Sequence, residues 1–157
     1  MLYYLDFRGR RYPATAFLSE MGPDLARGLL LRADSKIIEQ QGFFWLMISI
    51  ANNWAGDSNG FSTDKIPLND RVYWSLDNEE ILLSYAENPK VNQGWMQAAK
   101  PWQFLAACFE LKKAREWEAQ GNDLYEYVSH IEVSIDGSTN GKVAILKLCE
   151  FGETPNR

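Results

Sequence analysis

Hydrophobic and polar positions recur with two periods along these 157 residues, and the places where the period changes divide the chain. Near the start, Leu2-Tyr3-Tyr4-Leu5 and Tyr12-Pro13-Ala14-Thr15-Ala16-Phe17 stand on either side of Asp6-Phe7-Arg8-Gly9-Arg10-Arg11. Apolar runs around a short basic tip that contains a glycine predict a β-hairpin. Leu25 to Arg32, behind Pro23-Asp24, predicts a helix despite Gly28 inside it. Gly42 to Trp54 is a strongly apolar helix closed by Ala55-Gly56, its aromatic stripe read as core, and Asp57 to Lys65 is a polar loop. Pro67 and Asn69 open a helical region in two pieces, Asp70 to Leu76 and Asn78 to Ala86. Asp77 and Glu80 have the spacing of a capping box at the second piece, and Asn88-Pro89 ends it. A loop holding Trp95 then leads to Pro101, well suited to the first position of a long helix that runs to Ala119 and stops at Gly121. In that helix Phe104, Leu105, Cys108, Leu111 and Ala114 recur at helical spacing, with Glu110, Lys112, Lys113, Glu116 and Glu118 among the polar positions.

From Tyr127 the period changes to two. Ile131, Val133 and Ile135 fall on one face, His130, Glu132 and Ser134 on the other, as in a half-buried strand. Asp136 has the parity of the polar face. Gly137, Ser138, Thr139, Asn140 and Gly141 follow, small or turn-forming residues that allow unusual backbone angles and close approach of a ligand. A carboxylate in that place is a candidate Mg²⁺ ligand, because Mg²⁺ takes one or two carboxylates and completes its shell with phosphate oxygens and water. An Asp-Gly after a strand is also, and more often, only a turn. His130, the single histidine, and Glu132 read as structural strand positions.

Length and composition narrow the class. One ordinary domain with a sizeable core fits 157 residues, and 13% aromatic residues exclude a disordered segment. The net charge of −5 disfavours autonomous nucleic-acid binding, for which a basic face is expected. The charge is uneven, however: residues 1–36 hold Arg8, Arg10, Arg11, Arg27, Arg32 and Lys36 against Asp6, Glu20, Asp24 and Asp34. Cys108 and Cys149 lie too far apart in sequence for a zinc pattern, and Cys108 reads as a small buried residue. No apolar run has the length of a membrane span, and no signal-peptide pattern opens the chain, so a cytoplasmic protein is expected.

Three segments together resemble one family. Asp136-Gly137-Ser138 followed by Asn140-Gly141 is similar to motif A of the single-subunit, phage-type RNA polymerases, which include the mitochondrial type. Asp6-Phe7-Arg8-Gly9-Arg10-Arg11 resembles that family's Asp-x-x-Gly-Arg motif, and Pro101-Trp-Gln-Phe-Leu-Ala-Ala-Cys-Phe-Glu110 resembles the helix preceding motif A. The likeness runs over about residues 5–141. It implies an α+β fold: part of the palm of a right-hand polymerase, with short antiparallel strands and a mostly helical insertion. The implied division is a palm hairpin and helix over 1–36, the insertion over 37–126, the motif A strand over 127–141 and a non-family tail over 142–157. It further implies that Asp136 holds the catalytic Mg²⁺ ions with help from the Gly137 carbonyl, and that Ser138, Asn140 and Gly141 shape the turn. Asp6, Gly9 and Arg10, with Arg8 and Arg11 in support, would lie against the DNA template and the RNA–DNA hybrid. Ribonucleoside triphosphates would be the substrates, and a phage-encoded protein in the host cytoplasm the setting.

After Gly141 the likeness ends. The sequence holds neither the motif B helix nor motif C with its second metal-binding Asp, and two-metal phosphoryl transfer needs both carboxylates. The chain alone is therefore expected to be inactive. It would be completed by a second polypeptide carrying motifs B and C, unless it is the product of an intron-interrupted or truncated gene. A non-catalytic nucleic-acid-binding or assembly subunit is the alternative of another class.

Overall fold

A computed structural model describes residues 2–15, 17–56 and 62–131. The expected hairpin is present: β1 (Tyr3–Leu5) pairs antiparallel with β2 (Arg11–Pro13), Tyr3 opposite Pro13 and Leu5 opposite Arg11. Aromatic residues hold it together, the rings of Tyr4 and Tyr12 stacking across the strands at 5.7 Å.

The segment after the hairpin departs from the helix expected over Leu25 to Arg32. Helix α1 covers only Asp24–Gly28, and Leu31–Ile37 is a strand, β3. Two contacts explain the early stop. The carboxylate of Asp24 accepts hydrogen bonds from the backbone N–H of Trp102 at 2.7 Å and of Gln103 at 3.2 Å, and from Gln103 Nε2 at 2.9 Å. Asp24 thus caps, from a distance in sequence, the first turn of helix α5 (Pro101–Ala119), which has no capping side chain of its own. Gly28 lies directly on that turn, where an added Cβ would stand 2.7 Å from the carbonyl carbon of Trp102. Replacing Gly28 by Ala is therefore expected to lower the melting temperature by about 3–8 °C. Overpacking against backbone costs about 1–3 kcal/mol, which outweighs the roughly 0.5–1 kcal/mol of helix propensity that Ala adds. A melting curve equal to that of the parent chain would show that α1 shifts off α5 without penalty.

Helix α2 (Glu39–Trp54) begins earlier than expected and ends on Ala55, which takes the left-handed conformation (φ 38°) in place of Gly56. Helices α3 (Leu68–Asp77) and α4 (Glu79–Glu87) follow as the two expected pieces. The Asp77–Glu80 capping box does not form: Asn78 is the cap residue of α4, no side chain caps the helix, and Asn78 Nδ2 instead donates back to the Trp74 carbonyl at 2.7 Å. A 3₁₀ turn over Gln93–Gln97 buries Trp95, whose indole N–H donates to the Pro89 carbonyl at 2.9 Å. Another over Leu124–Glu126 leads into β4 (Val128–Ile131).

The core lies where α2, α4 and α5 meet. Leu46, Met47, Ile50, Leu82, Phe104 and Leu111 are buried there, as is Cys108, in agreement with its reading as a packing residue; burial drives its thiol pKa upward. Trp54 of α2 stacks on Trp74 of α3 and touches Phe104 of α5, so one aromatic group joins three helices. Polar links join the helices as well. Ser75, fully buried, donates to the Met47 carbonyl at 2.8 Å, and Arg115 forks onto Glu79 at 2.6 and 2.9 Å. The class is α+β: mostly helices, with two short antiparallel strand pairs among the described residues. Among the described residues no helix is long and apolar enough to cross a membrane.

Candidate nucleic-acid interface

The hairpin tip is built by one carboxylate turned inward. Asp6 Oδ1 accepts from the backbone N–H of both Arg8 and Arg10 at 2.8 Å, and the Asp6 carbonyl accepts from Gly9 N–H at 3.0 Å. Gly9 takes φ +75°, which a residue with a side chain adopts only under strain. The structure thus gives Asp6 and Gly9 the work of shaping the turn, and leaves the arginines to face outward. They differ among themselves. Arg11 lies over the Tyr3 ring at 4.2 Å and pairs with Glu20 at 3.8 Å, so its charge is partly answered within the chain. Arg8 sits over the Phe7 ring at 5.1 Å, and among the described residues neither Arg8 nor Arg10 forms an ion pair. Phe7 itself is 91% exposed. The tip therefore offers guanidinium groups and an aromatic face side by side, a combination suited to phosphates and bases.

The second part of the candidate site is the strand leading towards Asp136. β4 pairs with β3, Leu31 opposite Ile131 and Ile37 opposite Val128, with an irregularity between Leu31 and Lys36. The expected alternation holds over its described length: Tyr127, Ser129 and Ile131 are half-buried, while Val128 and His130 are exposed. His130 is held by structure, its Nδ1 3.0 Å from the Arg32 carbonyl oxygen. Asp136, Gly137, Ser138, Asn140 and Gly141, with Glu132 and the tail over 142–157, lie outside the described residues. Among those described, no cluster of three His, Cys, Asp or Glu could hold a metal ion.

One buried group escaped the sequence reading. Glu110, placed among the polar positions of the long helix, is only 4% exposed. Its Oε1 accepts from Ser129 Oγ at 2.6 Å. Burial, and next the negative charge of Glu110, push the Tyr127 phenol pKa upward. A signal was present in the spacing. Glu110 follows Ala107 by three and precedes Ala114 by four, which sets it on the helix's buried face.

The description DNA-dependent RNA polymerase belongs to the family whose model matches residues 36–143, which take in α2 to β4 and Asp136. The chain belongs to this family. Relatives of the chain agree. The mitochondrial DNA-directed RNA polymerase of Neurospora crassa is 42% identical over 138 residues, covering 87% of this chain and 9% of that protein. The mouse (Mus musculus) mitochondrial enzyme is 37% identical over 138 residues, with 87% and 11% covered. DNA-directed RNA polymerase 1, mitochondrial, of Arabidopsis thaliana is 36% identical over 139 residues, with 87% and 13% covered. The chain thus spans about a tenth of the length of these relatives, 9–13%. The names correct one expectation. A phage-encoded protein in a host cytoplasm does not fit, since the relatives are named as mitochondrial or chloroplastic polymerases. The quoted motifs carry no signal of compartment, so they could not separate these settings.

Proposed function

We propose that this chain forms part of the palm of a DNA-directed RNA polymerase, with the helices over 37–126 as its insertion and residues 127–141 as the motif A strand. The observation that carries the reading is the family match over residues 36–143, which include Asp136. The donor set suits Mg²⁺, because a carboxylate from Asp136 and a backbone carbonyl from Gly137 are the hard oxygen ligands that this ion takes. When bound, the ions would supply charge stabilisation for attack of an RNA 3′-hydroxyl on the α-phosphate of a ribonucleoside triphosphate. In this reading Asp6 and Gly9 hold the hairpin turn while Arg8 and Arg10 meet phosphates of the template–hybrid backbone. Arg11, already paired with Glu20, contributes less. Catalysis needs motifs B and C, which residues 1–157 do not carry.

The interface is tested on the chain itself by titrating a labelled RNA–DNA hybrid at several salt concentrations. Binding is expected to weaken as salt rises, since each neutralised phosphate releases counterions. Arg10→Ala should weaken binding at low salt and reduce the slope of log affinity against log salt by about 1. Arg11→Ala should change it by less. Equal affinity and slope in the Arg10→Ala variant would sink the assignment of the tip.

A further inference from the structure

One carboxylate moors the hairpin to the rest of the chain. Glu20 Oε2 accepts from the Tyr3 hydroxyl at 3.3 Å, and Glu20 Oε1 pairs with Arg11 Nη2 at 3.8 Å. Tyr3 lies on β1 and Arg11 on β2, so Glu20 reaches both strands. Among the described residues, the side-chain hydrogen bonds and ion pairs that tie these strands to the rest of the chain end on Glu20. Its own backbone is anchored: the neighbouring Ser19 is buried, and the Ser19 carbonyl accepts from the Gly22 N–H at 3.0 Å. The Arg11 guanidinium is steered from a second side, 4.2 Å above the Tyr3 ring. It is held, yet lightly. The ion pair is longer than a hydrogen bond, and 64% of the Arg11 side chain and 37% of the Glu20 side chain meet solvent. Exposed pairs of this kind add little, whereas a phosphate can accept two parallel short bonds from one guanidinium.

None of the three segments that carry the family likeness contains Glu20. We infer that Glu20 is a positioning residue for nucleic-acid binding: its carboxylate takes the place at Arg11 that a phosphate would take, and withholds this guanidinium until a phosphate displaces it. The inference rests on the reading of the tip as a nucleic-acid contact. In that reading Arg8 and Arg10 meet phosphates directly, and Arg11 is a third contact that must first give up a partner. Because the exchange swaps one anion for another at the same guanidinium, Arg11 adds to affinity only the difference between phosphate and carboxylate. Glu20 acts through Arg11 and does not itself touch the nucleic acid.

The test titrates a labelled RNA–DNA hybrid into the full chain at several salt concentrations, for the parent, Glu20→Gln, Arg11→Ala and the double variant. Gln keeps the length of Glu and an oxygen for the Tyr3 hydroxyl, and removes the charge that holds Arg11. Glu20→Gln should bind about two- to five-fold more tightly at low salt, the range that an exposed pair can withhold. Its slope of log affinity against log salt should steepen by about 1. In the Arg11→Ala background the same substitution should leave affinity essentially unchanged. A general loss of negative charge would instead strengthen both backgrounds alike, and that result overturns the inference. So does a Glu20→Gln chain that binds no better than the parent. Tyr3→Phe, which removes the hydroxyl and leaves both charges, should bind as the parent does. A gain in Tyr3→Phe equal to that of Glu20→Gln would trace the effect to the mooring of the hairpin, and would also overturn the role at Arg11. Arg10→Ala is the separate check on the tip. If it binds as the parent does, the reading of the tip fails, and the inference falls with it.

Discussion

Asp136→Asn is expected to lower RNA extension by at least about 10³-fold, a loss of about 4 kcal/mol of transition-state stabilisation. The assay mixes the chain with a polypeptide supplying motifs B and C, a primed RNA–DNA hybrid, labelled ribonucleoside triphosphates and Mg²⁺. Asn has the shape of Asp and keeps one carbonyl oxygen, so packing is preserved and the difference reads the charge. A carboxylate brings a full negative charge to a divalent ion, whereas an amide oxygen brings only a dipole. Because Asp136 has the parity of the strand's polar face, the substitution should leave the melting temperature within a few degrees of the parent. Extension at the parental rate by Asp136→Asn would end the catalytic assignment. So would a mixture in which the parent chain adds nothing to the complementing polypeptide.

The largest expected effect on stability is at Phe104. This side chain is fully buried, 5.2 Å from the Trp54 ring and 6.3 Å from the Tyr85 ring, centroid to centroid. It stands where α2, α4 and α5 converge, and Trp54 carries the contact on to Trp74 of α3. Truncation to Ala removes most of an aromatic side chain and leaves a cavity that rigid helices fill only in part, costing about 3–5 kcal/mol. For a chain of this length each kcal/mol shifts the midpoint by about 2–4 °C, so a fall of roughly 10 °C or more is expected in a thermal melt. Phe109, on the same helix but 37% exposed, provides the comparison. Its replacement by Ala should cost much less, since no enclosed cavity forms. Equal falls for the two variants would mean that the aromatic junction does not organise the core.

Elements with a strong local pattern were legible in advance, and elements made by remote partners were not. The helix from Pro101 to Ala119 carries its own start, its own stripe and a glycine stop, and it forms as expected. The hairpin announces itself through two aromatic runs and a tip that only a tight turn can close. β3 has a weak alternation of its own, with Arg32, Asp34 and Lys36 between smaller or apolar residues, but its first two residues, Leu31 and Arg32, also continue the helix expected from Leu25. What makes it a strand is the ladder to β4, about a hundred residues away. Asp77 likewise looked like a cap by spacing, but α3 continues through it and the role passed to Asn78.

The candidate site divides along the same line. The residue types and order of Asp6 to Arg11 and of Asp136 to Gly141 pointed to the polymerase family through their resemblance to its motifs, a likeness carried by residues at short spacing whatever surrounds them. Which arginines remain outward, and which charge is answered by Glu20, depends on three-dimensional neighbours that spacing does not encode. Glu110 is the sharpest case. Its helical spacing put it on the buried face, its chemistry argued for the surface, and the packing resolved the conflict by placing Ser129 against it. A charge is tolerated in the interior only when donors arrive from elsewhere in the chain, and that arrival is a property of the fold.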